Sequence, residues 1–317
     1  MRAIGVHSYG GPDALRPLDL PTPVPGPGEV RIRVHAAAVN PTDTLLRAGQ
    51  HAGRLADRPP PYLPGMDAAG EIDQLGAELD GRLRLGQPVI ALVVPTGPHG
   101  GAYAEQIVVP AASVVPIPAG VDFAAASTLL MNALTARLAV DALGLTEGQF
   151  LAVTGAAGAF GGYAVQLAGA DGLRVLADAA PKDGQLVKEL GAEWIVPRGD
   201  DFARHIRTLE PAGVPGLADG AVLDERVVPA IADGGGLSVV RGWSGPTERG
   251  IIVHPISVSR HATDTAALAR LARQAGEGTS TLRVADVLPA GEAARAHRML
   301  ESGGVRGRIV LDFADWA

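Results

Sequence analysis

The spacing of apolar residues predicts strands in the first third of the chain. Val30, Ile32 and Val34 alternate with polar residues, which is the period-two pattern of a half-buried strand. Further strands are predicted at 68–75, 88–94 and 103–109. Clusters of proline and glycine separate these runs, so residues 1–118 are expected to form a loop-rich β domain.

From about residue 122 the pattern changes to alternating helical and strand-like runs. The segment 123–143 is rich in alanine and leucine and predicts one long helix. Later helices are predicted at 183–190, 202–209, 263–274 and 291–301, strands at 150–153, 174–177, 194–196 and 308–311, and further apolar runs at 221–223, 237–240 and 251–258. This alternation predicts an α/β fold with a parallel sheet covered on both faces.

Glycines follow the apolar run 150–153 at three positions, Gly155, Gly158 and Gly161, and a helical pattern comes next. Strand, glycine turn and helix form the context in which such glycines indicate dinucleotide binding. The turn allows close approach of a pyrophosphate, and the helix N-terminus offers free N–H groups. The order is G-x-x-G-x-x-G rather than G-x-G-x-x-G, so a tight turn without a ligand is the alternative.

Composition narrows the class of protein. The 317 residues suggest about two domains, and 47% apolar with 19% charged residues is typical of a globular chain. There are 27 basic and 34 acidic residues, a formal charge of −7 and no basic run, so nucleic acid is not an expected partner. The absence of cysteine excludes disulfides, thiolate nucleophiles and cysteine-ligated zinc.

Targeting signals are not evident in the sequence. The first residues lack the apolar core of a signal peptide. The uncharged segment 148–170 is long enough to span a bilayer, but its glycines and strand–turn–helix pattern argue against a membrane helix. We therefore expect a cytoplasmic protein that does not associate with a membrane.

Several short motifs occur together in a specific order. They are N-P-T-D at 40–43, P-G-M-D-A-A-G-E at 64–71, G-G-A-Y-A-E at 100–105, A-L-T-A at 133–136, K-E-L-G-A at 188–192, A-H-R-M-L-E-S-G at 296–303 and G-R-I-V-L at 307–311. With the glycine segment, they resemble the medium-chain dehydrogenase/reductase superfamily, specifically its zinc-free quinone oxidoreductase branch. The resemblance implies a GroES-like β domain at 1–118, completed by 263–317, and a Rossmann-type doubly wound domain at 119–262. It also implies an active site in a cleft between them.

The resemblance also bears on metal and acceptor. Zinc-dependent members carry a cysteine and a histidine ligand where this chain has Asn40 and Met66, so we expect no metal. Without a Lewis acid, alcohol dehydrogenation is not expected. Quinones and conjugated enones suit a metal-free site, because the charge left by hydride addition delocalises onto oxygen. The implied activity is hydride transfer from a nicotinamide cofactor to such an acceptor.

The resemblance assigns candidate site residues. Asn40 is the candidate catalytic residue, with a capping role in an Asn-Pro turn as the alternative. The cofactor-binding candidates are Thr135, Gly155, Ala156, Gly158, Ala159, Phe160, Gly161, Ala179, Lys182 and Arg198. The substrate-pocket candidates are Leu45, Leu46, Met131 and Trp243. Leu45 stands where related enzymes often carry a tyrosine, which favours an apolar pocket and proton supply from solvent. Thr135 is also explained as an ordinary helical threonine.

The choice between NADPH and NADH depends on the end of the second Rossmann strand. The resemblance places Ala179 where NAD enzymes carry an acidic residue, and Asp178 is expected to point elsewhere because neighbouring strand side chains face opposite sides. Lys182 lies where family members bind the 2′-phosphate, and Arg198 could add a second cation. NADP(H) is therefore expected over NAD(H). A shift by one residue would bring Asp178 to the ribose and favour NADH.

Other readings stay open. A short-chain dehydrogenase would need glycine where the chain has Ala159, and a tyrosine followed four residues later by lysine, which the chain lacks. A non-catalytic NADPH-binding regulator and an enoyl reductase of a biosynthetic pathway both fit the sequence. By analogy with the family we expect a homodimer formed through an edge strand, with 237–240 and 251–253 as candidates that could equally be internal.

Overall fold

The structure is a computed structural model and describes residues 1–245, 248–314 and 316. Its strands are β1 (Arg2–Gly5), β2 (Arg16–Asp19), β3 (Glu29–Val39), β4 (Asp67–Leu75), β5 (Pro88–Leu92), β6 (Gln106–Pro110), β7 (Val114–Pro116), β8 (Phe150–Thr154), β9 (Arg174–Ala179), β10 (Trp194–Pro197), β11 (Val214–Asp219), β12 (Ile231–Val239), β13 (Ile252–Pro255), β14 (Val284–Pro289) and β15 (Arg308–Asp312). Its α-helices are α1 (Pro41–Arg47), α2 (Phe123–Ala126), α3 (Leu130–Ala142), α4 (Ala159–Ala170), α5 (Gly184–Glu189), α6 (Phe202–Leu209), α7 (Thr265–Gly276) and α8 (Ala293–Glu301).

Contacts divide the chain into two compact units. The first comprises Met1–Met131, Ser259–Gly276 and Leu282–Ala317, and the second comprises Asn132–Val258 and Glu277–Thr281. The first unit thus includes α2, which the boundary expected at residue 118 would assign to the second.

The first unit is built around a mostly antiparallel sheet in the order β14-β15-β3-β4-β5-β7, and β6 also pairs with β3. On β3 the side chains of Val30, Ile32 and Val34 are buried as the alternation predicted. The C-terminal strand β15 pairs antiparallel with β3, with Ile309 opposite Val39. The prediction of a GroES-like β domain that uses both ends of the chain is therefore confirmed.

The second unit contains a parallel sheet in the order β10-β9-β8-β11-β12-β13. Counted along this unit, the order is 3-2-1-4-5-6, the Rossmann arrangement predicted from sequence. Strand order reverses between β8 and β11, and dinucleotides bind beyond the carboxyl ends of the strands at such a switch point. Of the two segments named as possible edges, 251–253 overlaps β13, which is an edge of this sheet, whereas 237–240 overlaps the internal strand β12.

Three predicted segments are wrong in detail, and the first is a helix. The helix expected over 123–143 is interrupted after Ala126, because the hydroxyls of Ser127 and Thr128 donate to the carbonyls of Ala124 and Ala125, both at 2.8 Å. Such local bonds compete with regular helix geometry.

The other errors concern strands. The run 221–223 is a loop, and the strand of this region is β11, whose apolar pattern is masked by Pro215 and Gly216. The strand expected at 103–109 starts only at Gln106.

One stretch passes a length and composition test for crossing a membrane. It is Phe123–Ala142, with a mean hydropathy of 1.4. Because 78% of that window is buried inside the folded protein, it fits a core helix at least as well. The segment 148–170, considered above for the same reason, forms β8, a turn and α4, as its pattern predicted.

Candidate active site

The glycine loop (residues 155–158) connects β8 to α4 at the switch point of the second unit. Gly155 has a φ of +66°, a backbone conformation that residues with a side chain rarely adopt. A Cβ on Gly161 would lie 2.4 Å from the carbonyl oxygen of Gly155, so helix and loop approach as closely as backbones allow. The backbone shape therefore requires glycine at 155 and 161.

The loop places the N-terminus of α4 just beyond the carboxyl end of β8. Gly158 is the N-cap residue, and its N–H donates to the carbonyl of Gly155 at 2.9 Å. N–H groups in the first turn of a helix have no intrahelical acceptor, and the helix dipole adds positive potential there. This cradle fits the diphosphate of a dinucleotide. Ala156 and Ala159 are buried, and Phe160 is partly exposed.

Asp178 lies against the glycine loop. Its Oδ1 accepts a hydrogen bond from the Ala156 N–H at 3.1 Å, and the side chain is buried. The alternation of side chains along β9 holds, but the glycine loop crosses the very face that Asp178 occupies. Burial raises the pKa of this carboxyl, with the Ala156 amide and the Arg198 guanidinium opposing that shift.

The other residues predicted to bind the adenosine half of the cofactor lie near Asp178 at the end of β9, and Thr135 is a further candidate for cofactor binding. Ala179 is buried at the end of β9, and its carbonyl accepts from the Arg198 N–H at 3.1 Å. Lys182 and Arg198 are both exposed, so two cations stand at this end of β9. Thr135 lies on α3 and is 9% exposed.

Asn40 occupies a different environment, in the first unit. It is the N-cap residue of α1 and is completely buried. Its Nδ2 donates to Oδ2 of Asp67 at 2.8 Å, and its Oδ1 accepts from Nε of Arg308 at 2.8 Å. Oδ1 of Asp67 in turn accepts from the N–H of Met131 at 2.8 Å. These bonds orient the Asn40 amide and bring Asn40 and Met131 together through one carboxylate.

Asp43 forms the second buried carboxylate beside Asn40. It accepts from the N–H of Asn40 at 2.8 Å, the N–H of Gly65 at 3.1 Å and the hydroxyl of Tyr103 at 3.2 Å. Burial raises the pKa of Asp43 to about 7, against the lowering effect of the two amides. Burial likewise raises the pKa of Asp67 to about 6. Burial thus shifts the pKa of both carboxyls upward, toward neutral pH.

A chain of side chains continues from Asp43 toward the surface. The Tyr103 hydroxyl lies 3.1 Å from Nε2 of His297, and Nδ1 of His297 lies 3.2 Å from a guanidinium nitrogen of Arg47, which also pairs with Glu301 at 2.5 Å. Arginine only donates, so Nδ1 accepts and Nε2 carries the proton. His297 then donates to Tyr103, and Tyr103 donates to Asp43. Burial and the Arg47 charge lower the pKa of His297 to about 3.

The substrate-pocket candidates differ in their exposure. Leu45 is half-buried, whereas Leu46 is 1% exposed and packs in the core, so Leu45 is the member of this pair that offers surface to a ligand. Met131 is 8% exposed in the first unit. Trp243 belongs to the second unit and packs, partly buried, against the hydrophobic core there.

Comparison with known proteins adds to this geometry. The sequence model described as alcohol dehydrogenase GroES-like domain matches residues 26–119, and the one described as zinc-binding dehydrogenase matches residues 190–311. The quinone oxidoreductase of Sus scrofa is 28% identical over 333 residues, which cover 98% of this chain and 97% of that protein.

Solved structures agree over nearly the whole chain. An NAD-dependent alcohol dehydrogenase is 30% identical, with a TM-score of 0.87 over 99% of this chain and 100% of its own. The chain belongs to the medium-chain dehydrogenase/reductase superfamily. A mycobacterial protein solved in complex with NADPH is 28% identical, with a TM-score of 0.86 over 98% of this chain and 100% of its own. Within that superfamily, the chain is quinone oxidoreductase-like.

One of the matching family models is described as a zinc-binding dehydrogenase, but the side chains at the two expected zinc-ligand positions do not suit a zinc ion. The amide of Asn40 is bonded to Asp67 and Arg308, and Met66 is buried. Within residues 1–245, 248–314 and 316, no cluster of three or more His, Asp or Glu side chains could hold a metal ion. That this medium-chain dehydrogenase/reductase works without a metal stays a prediction.

Sequence reasoning missed the partners that hold the site together. Asp67 stands inside the quoted 64–71 motif, and Arg308 inside the 307–311 motif, yet their bonds to Asn40 join positions far apart in the chain. Thr154 and Asp219, which are hydrogen-bonded to each other, were also missed. A polar residue that ends an apolar strand was the signal available for Asp219.

Proposed function

We propose that this chain is an NADPH-dependent oxidoreductase that works without zinc and transfers hydride to a quinone or a conjugated enone. The observation that carries the proposal is the glycine cradle at the switch point of a Rossmann sheet, in a chain that resembles quinone oxidoreductases over its full length. A bound nicotinamide cofactor supplies the hydride.

The chain's own residues position the reactants. The glycine loop and the first turn of α4 hold the diphosphate. Asn40 presents an amide whose orientation is set by Asp67 and Arg308, and Leu45 contributes apolar surface. Proton supply to the reduced acceptor is assigned to solvent. We also infer a homodimer, since β13 is an edge strand and its Ile252 is 57% exposed.

NADPH is proposed over NADH because two exposed cations, Lys182 and Arg198, stand at the end of β9 beside the small Ala179. The negative charge of Asp178 would repel the 2′-phosphate of NADPH, but its carboxylate is turned toward the Ala156 amide. A charge-assisted hydrogen bond contributes roughly 1.5–3 kcal/mol, about ten- to a hundredfold in affinity.

The test compares Lys182→Ala with Lys188→Ala, an exposed lysine on α5. Lys182→Ala should weaken NADPH binding about tenfold or more and leave NADH binding unchanged, while Lys188→Ala changes neither. Unchanged NADPH affinity in Lys182→Ala would reject the assignment of NADPH. The same proteins are assayed for NADPH oxidation with a panel of quinones and enones, and binding without turnover on any acceptor would favour the non-catalytic alternative.

A further inference from the structure

Two polar side chains lie buried where the strand order of the second unit reverses. Thr154 ends β8 and Asp219 ends β11, and the two residues are directly paired in the sheet. Both are buried, and Oγ1 of Thr154 donates to Oδ1 of Asp219 at 2.5 Å. No part of the function proposed above uses this pair.

Asp219 organises the switch-point loop (residues 220–224), which follows β11. Its Oδ1 also accepts from the N–H of Ala221 at 3.2 Å, and its Oδ2 accepts from the N–H groups of Leu223 at 2.7 Å and Asp224 at 2.8 Å. Oγ1 of Thr154 accepts from the Ala221 N–H as well, at 3.1 Å. The carboxylate therefore receives about as many hydrogen bonds as its lone pairs can accept.

The switch-point loop is held in a conformation that its residues disfavour. Val222 has a φ of +56° and Asp224 a φ of +54°, both in the left-handed region. A β-branched residue is a genuine outlier there. Such strain persists only where the surroundings over-determine it, and the amides on both sides of Val222 donate to Asp219.

The switch-point loop also lies directly against the glycine loop. A Cβ on Gly155 would come within 3.0 Å of the carbonyl carbon of Gly220. A Cβ on Gly220 would lie 2.6 Å from Cδ1 of Phe160 and 2.8 Å from the carbonyl oxygen of Thr154. In this strand order a dinucleotide crosses from the β8–β10 half to the β11–β13 half at this point.

We propose that Thr154 and Asp219 are a positioning pair that holds the switch-point loop in the shape required by the nicotinamide half of the cofactor. The pair acts through the loop backbone, while the adenosine half depends on the glycine loop and the end of β9. This inference rests on the proposed function. It predicts that loss of the pair weakens binding of the whole dinucleotide and spares binding of the adenosine half.

The experiment measures dissociation constants by calorimetry for NADPH, NADH and the fragments 2′,5′-ADP and ADP. Asp219→Asn places an NH2 group among backbone N–H donors, and Thr154→Val removes the hydroxyl at nearly constant shape. Each variant should bind the dinucleotides about tenfold more weakly, which corresponds to about 1.4 kcal/mol, and bind the fragments within about twofold of wild type. Thr154→Ser keeps the hydroxyl and should restore dinucleotide binding.

Ser238→Ala is the matched control for a purely structural effect. Ser238 lies on β12 opposite Ala218 of β11, is completely buried, and donates to the Ala139 carbonyl at 2.6 Å. This substitution should lower the melting temperature and leave the dissociation constants of the dinucleotides and of the fragments unchanged. If Asp219→Asn does not fold, the binding measurements on Thr154→Val provide the same test.

Two results separate this inference from the function on which it rests. Equal weakening of dinucleotides and fragments, or no weakening of either, would overturn the positioning role while the cofactor assignment stands. Failure of wild type to bind any of the four nucleotides would overturn the proposed function, and this inference with it.

Discussion

The glycine loop of the second unit and the surroundings of Asn40 in the first unit are built by opposite means. The glycine loop depends on backbone shape, because Gly155 is in the left-handed region and a Cβ at Gly161 would lie 2.4 Å from the Gly155 carbonyl oxygen. Asn40 is held by side chains, among them the buried carboxyls of Asp43 and Asp67. One region is therefore sensitive to added volume, and the other to changes of charge and pH.

The two regions also differ in the hydrogen-bond partners of their buried polar groups. Around Asn40, the ionisable groups form a continuous chain in which each hydrogen-bond direction is determined by its neighbour. In the second unit, Asp178 and Asp219 each bind backbone N–H groups of a loop. Their carboxylates therefore act mainly on loop backbone, and Asp219 also accepts from the hydroxyl of Thr154.

The largest effect is expected from Gly161→Ala. The added methyl would lie 2.4 Å from the Gly155 oxygen and 2.7 Å from Cα of Ala156, so α4 must move away from the loop. We expect cofactor binding to weaken about a hundredfold or more, about 2.7 kcal/mol, together with about 1–3 kcal/mol lost in unfolding free energy from overpacking. Titration of cofactor fluorescence and urea unfolding measure the two effects.

Gly169→Ala is the control on the same helix. A Cβ at Gly169 meets no atom within 4 Å, and the residue is exposed near the end of α4. Alanine there should raise the unfolding free energy by about 0.5 kcal/mol and leave cofactor affinity unchanged. Equal effects of the two substitutions would show that backbone approach at Gly161 is not what the loop requires.

Arg47→Met tests the charged chain of the first unit. Arg47 is 4% exposed and donates to the Gly10 carbonyl at 3.1 Å as well as to His297 and Glu301. Methionine preserves the volume but leaves these acceptors without their donor, which should cost about 3 kcal/mol in urea unfolding.

Arg33→Met is the matched comparison for that substitution. Arg33 on β3 pairs with Glu71 on β4 and is exposed, and a solvent-exposed ion pair contributes about 0.5 kcal/mol. A loss at Arg47 no larger than the loss at Arg33 would contradict the view that buried charge organises this region.

Local pattern was enough to predict the parts of the fold that depend on neighbouring residues. The alternation at Val30–Val34 marked β3, and the glycines after β8 marked the turn into α4. The resemblance added the return of the C-terminal strand β15 to the first sheet, which pairing with β3 confirms. These features follow from periodicity, backbone freedom and motif order.

What sequence could not supply is the identity of partners distant along the chain. The bond between Thr154 and Asp219 and the bond between Tyr103 and His297 each require the folded sheet order. Asp178 shows the limit most clearly. Strand alternation assigns it to a face, but only the path of the glycine loop tells what lies on that face. Val222 in a loop rather than a strand has the same cause, since Asp219 determines its backbone conformation.

One expected effect appears only below neutral pH, and it is the pH dependence that His297 adds to stability. Its pKa is about 3 in the folded protein, against an ordinary value of 6.5, because of burial and the nearby Arg47 charge. The unfolded chain therefore binds more protons than the folded protein between these values. The stability that depends on neutral His297 is present above pH 6.5 and is lost as the pH falls toward 3.

His297→Gln isolates that contribution. The unfolding free energy of wild type minus that of His297→Gln should be constant above pH 7 and fall below pH 6.5 by up to about 1.4 kcal/mol per pH unit. Asp43, whose pKa is raised to about 7, has the opposite slope, with stability lost as the pH rises from 3.8 to 7. Both proteins retain Asp43, so its contribution cancels in the difference. A difference that stays flat from pH 8 to pH 4 would mean that His297 takes up its proton without unfolding, and that the hydrogen-bond directions inferred for the chain from Arg47 to Asp43 are wrong.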